Sequence, residues 1–231
     1  MASTTKLWRS LDPRALDREA KMWSAATRDV ADTGARLSSR SAANYTRRYA
    51  AAETRAARLG PPITPVSQFN RELFTHKLNY ALARVKIGVG NSEPLDYAMR
   101  QGLSVAISTV VDEVSGAARD TIMSVASGEN PTMSPVQRPE RWARTASAGA
   151  CAFCAMLAGR GDVYTSEDTG SFEAHNLCDC TAELVYSDTW SPSPQDAAHR
   201  EAYDTAMQKW KDGEIEAKDR LNAFRQYLGN N

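Results

Sequence analysis

The chain has 231 residues, 42% hydrophobic and 24% charged, enough to build one large domain or two small ones around a real core. Its formal net charge is zero, so no global field draws it to nucleic acid. No apolar run approaches the roughly 18 residues that cross a bilayer, and the opening MASTTKLWRSLDPRALDREA lacks the apolar stretch of a secretory leader, so synthesis in a reducing cytoplasm and no membrane partner are expected.

Charge is uneven along the chain. Between residues 1 and 60 lysines and arginines outnumber aspartates and glutamates twelve to six, which makes this segment a basic helical arm. A solvated, ion-paired helix face explains such a charge surplus; contact with a phosphate backbone is the sharper alternative. From Asp12 to Leu59 the Ala- and Arg-rich sequence predicts one long or broken helix, with Pro13 in its first turn and Gly34 as an interruption. Its stripe of Trp23, Ala26, Val30, Ala31, Leu37, Tyr45, Tyr49 and Ala52 is thin, so it should pack on something else, another chain included.

Gly60-Pro61-Pro62-Ile63-Thr64-Pro65 breaks the helix and reads as a hinge or linker. A helical core is expected over 66–127. Ser67 is placed to cap a helix carrying Phe69, Leu73, Phe74, Leu78, Ala81, Leu82 and Val85, which Gly88 and Gly90 end. The next helix, Glu93 to Ala126, is the most regular, with Leu103, Ile107, Val110, Val114 and Ala117 spaced by fours and threes. A second linker follows from Gly128 to Pro139. Thr181 to Tyr186 is the best strand candidate and Asp162 to Thr165 the next. A C-terminal helix is expected over 194–228, with Ala202, Ala206, Trp210, Leu221 and Phe224 on its apolar face. The fold class is therefore mainly α: long helices with a small α+β segment at 140–186 stapled by cysteine and histidine.

All four cysteines lie in that segment. Cys151 and Cys154 form C-x-x-C; His175, Cys178 and Cys180 form H-x-x-C-x-C. Zinc takes four thiolate or imidazole ligands at tetrahedral corners, and two cysteines separated by two residues present both sulfurs from a single turn. Cys151 and Cys154 would supply two ligands, and two of His175, Cys178 and Cys180 the rest. Disulfides, reduced core cysteines and a Cys–His nucleophile–base pair are the other accounts of the same residues. Four protein ligands leave no position for water, so a metal enzyme is not expected. The order is also wrong for a zinc deaminase, which carries H-x-E upstream of its C-x-x-C, and a redox C-x-x-C would need flanking strands. Arg160-Gly161-Asp162 reads as a turn that brings the insert back, and His76 and His199 as packed surface histidines.

The sequence from Trp142 to Tyr186 resembles the MuF-like minor head proteins of tailed phages, in the form found in phages of actinobacteria. Trp142, Arg144, Cys151, Phe153, Cys154, Met156, Leu157, Ala158, Arg160, Gly161, Val163, Tyr164, Phe172, His175, Cys178 and Cys180 carry the resemblance. The broader head-morphogenesis family favours a proline after the histidine and an arginine between the last two cysteines, where this chain has Asn176 and Asp179. The resemblance implies a non-enzymatic structural protein, assembled in the host cytoplasm and carried in several copies in the capsid interior or at the portal vertex. Its partners would be the portal or major capsid protein, and packaged DNA through the basic arm. The zinc would be structural, or disulfides would replace it once the virion is outside the cell. A zinc-stabilised nucleic-acid-binding module and a Cys/His enzyme are the rival functions.

Overall fold

The computed structural model describes residues 2–67, 69–165, 180–188 and 190–229. It is mainly α, with long helices and one small two-stranded sheet: α1 (Ala2–Arg9), α2 (Leu16–Glu53), α3 (Arg71–Gly90), α4 (Leu95–Ala126), β1 (Arg141–Thr145), α5 (Ala152–Ala158), β2 (Thr181–Val185), α6 (Pro194–Lys211) and α7 (Arg220–Gly229). Two compact units divide the chain, Met1–Ala43 with Pro65–Thr121 and Asn44–Thr64 with Ile122–Asn231.

In the first unit α2 starts later than its sequence suggests. Pro13 lies in the turn before the helix, where Glu19 accepts from the Asp12 amide at 2.8 Å and Asp12 accepts from the Arg14 amide at 2.9 Å. Gly34 does not interrupt α2. A methyl group there would meet Val114 Cγ2 at 2.7 Å, so the glycine permits a close helix crossing, at some cost in propensity. After Trp23 the buried positions Thr27, Ala31 and Ala35 recur every four residues and are small, whereas the larger Met22 and Leu37 are exposed. A face of small residues lets neighbouring helices approach closely, and the bulk of the core comes from elsewhere. Trp8 meets Trp23 edge to face at 5.3 Å, and Phe74, Leu78, Leu82 and Val85 of α3 join Ala98, Ala106 and Val110 of α4 around them. The cap of α3 is Asn70 rather than Ser67, its side chain accepting from the Leu73 amide at 2.9 Å. Val66 exchanges two hydrogen bonds of 3.0 Å with the buried Thr121 hydroxyl.

In the second unit the proline-rich stretch expected as a hinge is tied down. Gly60 O accepts from Arg47 Nε at 2.6 Å, Pro61 O from Gln137 Nε2 at 3.0 Å, and Thr64 exchanges backbone hydrogen bonds with the Asn130 side chain. Proline fixes φ but leaves carbonyls to pair, so the segment is extended and anchored at once. β1 and β2 pair antiparallel, Arg141 opposite Val185 and Thr145 opposite Thr181. The strand over Thr181–Val185 agrees with the sequence pattern. The one expected at Asp162–Thr165 reduces to a single bridge of Tyr164 with Trp142. β1 itself escapes the pattern, because RWART has no alternation of apolar and polar residues and Trp142, Ala143 and Arg144 are all buried.

The C-terminal segment forms two helices in place of one. Gly213, at φ +78°, turns the chain after α6, and Trp210 Nε1 donates to Ala217 O at 3.1 Å across the turn. α6 is capped by Ser193, which accepts from the Asp196 amide at 3.1 Å. α5, α6 and α7 share a small core of Ala152, Ala155, Ala206 and Phe224, with Tyr203 edge to face on Phe224 at 5.3 Å.

Candidate metal centre

β1 and β2 bring the two ends of the cysteine segment together. Their register puts Thr145 opposite Thr181, so Ala146 leaves the sheet beside the point where Cys180 enters it. α5 crosses there, and Ala146, Cys154, Ala158 and Cys180 form one buried cluster with Ala150 and Phe153 against it. Cys154 and Cys180 are fully buried, their Sγ atoms 3.6 Å apart, a weak S–H···S contact. An S–S bond is about 2.05 Å long. An ion holding two sulfurs at about 2.3 Å and tetrahedral angles would set them about 3.8 Å apart, and 3.6 Å is also the ordinary contact distance of two thiols.

Cys151 is the N-cap residue of α5 and is exposed, one turn before Cys154. Among the described residues no three histidine, cysteine or carboxylate groups gather tightly enough to hold an ion. His175 and Cys178, the other candidate ligands, lie outside the described residues. The pair that the fold brings into contact is Cys154 with Cys180, one from each motif.

The rest of the motif clamps this cluster. After α5, Gly161 at φ +76° turns the chain so that Tyr164 comes back to β1. The Trp142 amide donates to Tyr164 O at 2.9 Å, the Tyr164 amide donates to Trp142 O at 3.3 Å, and the rings stack at 4.4 Å and 21°. Tyr164 Oη donates to Leu157 O at 3.3 Å, and the Arg160 guanidinium lies 5.3 Å from the centre of its ring. Burial raises the Tyr164 phenol above its ordinary range, opposed by the charges of Arg160 and Arg144. Asp162 engages Arg141, which also reaches Asp188 at 2.9 Å, so the Arg-Gly-Asp tripeptide serves the turn. These two carboxylates raise the Arg141 pKa further above its ordinary value.

Two residues of α6 support the site without any sequence signal for it. Asp196, nearly fully buried, accepts from the Ala146 amide at 3.1 Å and from Ser193 Oγ at 2.6 Å, fixing the chain where it leaves β1. His199 is buried, not a surface histidine, and its Nε2 lies 3.0 Å from Ser147 O. His76 is exposed. Ser193 and Asp196 form a local helix cap, and the tertiary role of Asp196 comes from its bond to the Ala146 amide.

Residues 1–209 match the family model described as VG15 protein. Neither the curated proteins nor the solved structures contain a match to the chain. With all but the last turns of its C-terminal region inside that match, the chain belongs to the VG15 protein family.

Proposed function

We propose that this chain is a minor structural protein of a tailed-phage head, acting at the portal vertex or capsid interior in head assembly or genome delivery, with its Cys/His segment closed by a structural zinc ion. The reading starts from the motif between Trp142 and Cys180. The observation that carries it is the Cys154–Cys180 contact: two fully buried thiols 3.6 Å apart hold the end of β1, α5 and the start of β2 together and present no sulfur to a substrate. Zinc, when bound, would supply a cross-link through Cys154 and Cys180 with two of Cys151, His175 and Cys178, and a sphere closed by four protein ligands performs no hydrolysis.

The partners proposed are the portal and the major capsid protein, with packaged DNA as a further contact of the basic N-terminal segment. Co-expression with the portal and major capsid proteins of the same phage tests this. The chain is expected to sediment with head particles and to be present in purified virions. Absence from virions, with no co-purification, removes the reading. DNA binding that weakens steeply with salt, in a chain that ignores heads, would favour a nucleic-acid-binding module instead.

A further inference from the structure

The second unit carries a recess with a volume of about 240 Å³, to which α2 contributes Tyr45 and Tyr49 and the sheet contributes Thr145, Thr181 and Glu183. That is below the several hundred Å³ of sites for drug-sized ligands and suits one side chain. Tyr45 and Tyr49, one helical turn apart, stack at 5.6 Å and 13°. Tyr49 has Tyr186 at 6.1 Å on its far side, which leaves the outer face of Tyr45, 60% exposed, as the open aromatic surface. Glu183 Oε1 accepts from Tyr49 Oη at 3.5 Å.

The electrostatics of this recess are one-sided. Both phenols are raised above their ordinary range, first by burial and then by the negative charges of Glu183 and Glu53. Glu183 is itself raised by burial, with Asp196 and Glu53 adding to the effect and hydrogen bonds from Trp190 and Tyr49 opposing it. No lysine or arginine lines the recess. Among the described residues the ion pairs also leave Glu183 without a cation. A half-buried carboxylate beside an open aromatic face is the chemistry that receives a weakly hydrated planar cation, with the face stacking on it and the carboxylate taking its N–H donors.

We propose that the Tyr45–Glu183 recess is a docking site for an arginine side chain presented by a protein partner. Thr145 and Thr181 in its lining offer hydroxyl acceptors for the remaining N–H groups, and its volume of about 240 Å³ suits a guanidinium. Lysine fits less well, since a compact, strongly hydrated ammonium gains less from stacking.

The test uses the full chain and NMR titration of the Tyr45 ring resonances with Nα-acetyl-arginine methylamide, its citrulline counterpart, and guanidinium chloride. The arginine amide is expected to give saturable shifts, and the neutral citrulline analogue to bind at least about tenfold more weakly. Glu183→Gln and, separately, Tyr45→Ala should each weaken the arginine amide by about the same factor. Tyr45→Ala removes an exposed ring and keeps the test available if Glu183→Gln does not fold. Equal binding of citrulline, or full binding by either folded variant, overturns the proposal. Guanidinium binding as tightly as the arginine amide overturns it too, since a bare small-cation site needs no partner.

Discussion

Trp142 and Tyr164 stack with ring centres 4.4 Å apart and pair their backbones in both directions, so one contact closes both the β1 edge and the return of the chain from α5. Trp142 is fully buried and Tyr164 nearly so. Emptying either place leaves a cavity next to the cysteine cluster, and Trp142→Ala or Tyr164→Ala should cost about 3–5 kcal/mol. Tyr164→Phe keeps the ring and loses the hydroxyl's hydrogen bonds to Leu157 O and with Arg160, at about 1–2 kcal/mol. Urea titration of the full chain checks the order. Equal loss in Tyr164→Phe and Tyr164→Ala would place the energy in the hydroxyl and contradict the stacking account.

Elemental analysis with a thiol count decides what holds the cysteine segment. Purified without added reductant, the chain should carry about one zinc and release all four thiols on denaturation. Chelator should lower Tm, and Cys154→Ser or Cys180→Ser should abolish metal retention. Metal absent with no reactive thiols would identify disulfides; metal absent with all thiols reactive would leave reduced core cysteines.

Asp196 should matter more than an exposed helix-capping residue. Asp196→Ala removes acceptors for the Ala146 amide and Ser193 Oγ in a buried setting and should cost about 1–3 kcal/mol. Asp212, an exposed carboxylate at the other end of α6, is the control, and Asp212→Ala should stay within about 0.5 kcal/mol. Similar effects for the two would refute the tertiary role.

Two glycines of α4 should respond in opposite directions. A methyl on Gly102 would meet Val85, Trp8 and the Ala81 carbonyl, all within 2.8 Å, and one on Gly116 meets nothing within 4 Å. Gly102→Ala is expected to destabilise by about 1–3 kcal/mol despite the gain in propensity. Gly116→Ala should stabilise by up to about 1 kcal/mol. Differential scanning calorimetry of both variants separates the signs, and a stabilised Gly102→Ala would mean the crossing is looser than described.

Glu183 predicts a pH effect with a definite sign. Burial raises its pKa above the ordinary 4.5, so the folded chain holds this proton more tightly than the unfolded chain does. Its contribution to stability is full below the unfolded value and is lost as pH rises through the folded one. Glu183→Gln cannot lose a proton. The Tm of the variant relative to the parent should therefore rise between about pH 4 and pH 7, and a flat or falling difference would be the wrong sign.

Helices α3 and α4 and strand β2 were legible because their apolar periods repeat within a few residues, and local spacing alone decides which face is buried. The spacing of the cysteines and of His175 was legible too, since it is a property of a short stretch. What the sequence left undetermined depends on where the chain returns. Gly34 looked like a break because a lone glycine costs helix propensity, and only the nearness of Val114 turns it into a crossing point. β1 has no alternating pattern, and its buried Arg144 makes sense only inside the fold. Cys154 meets Cys180 across 26 residues, and Tyr49 meets Glu183 across 134. No local period reports contacts of that range, because they are set by strand register and helix packing, which exist only once the whole unit has formed.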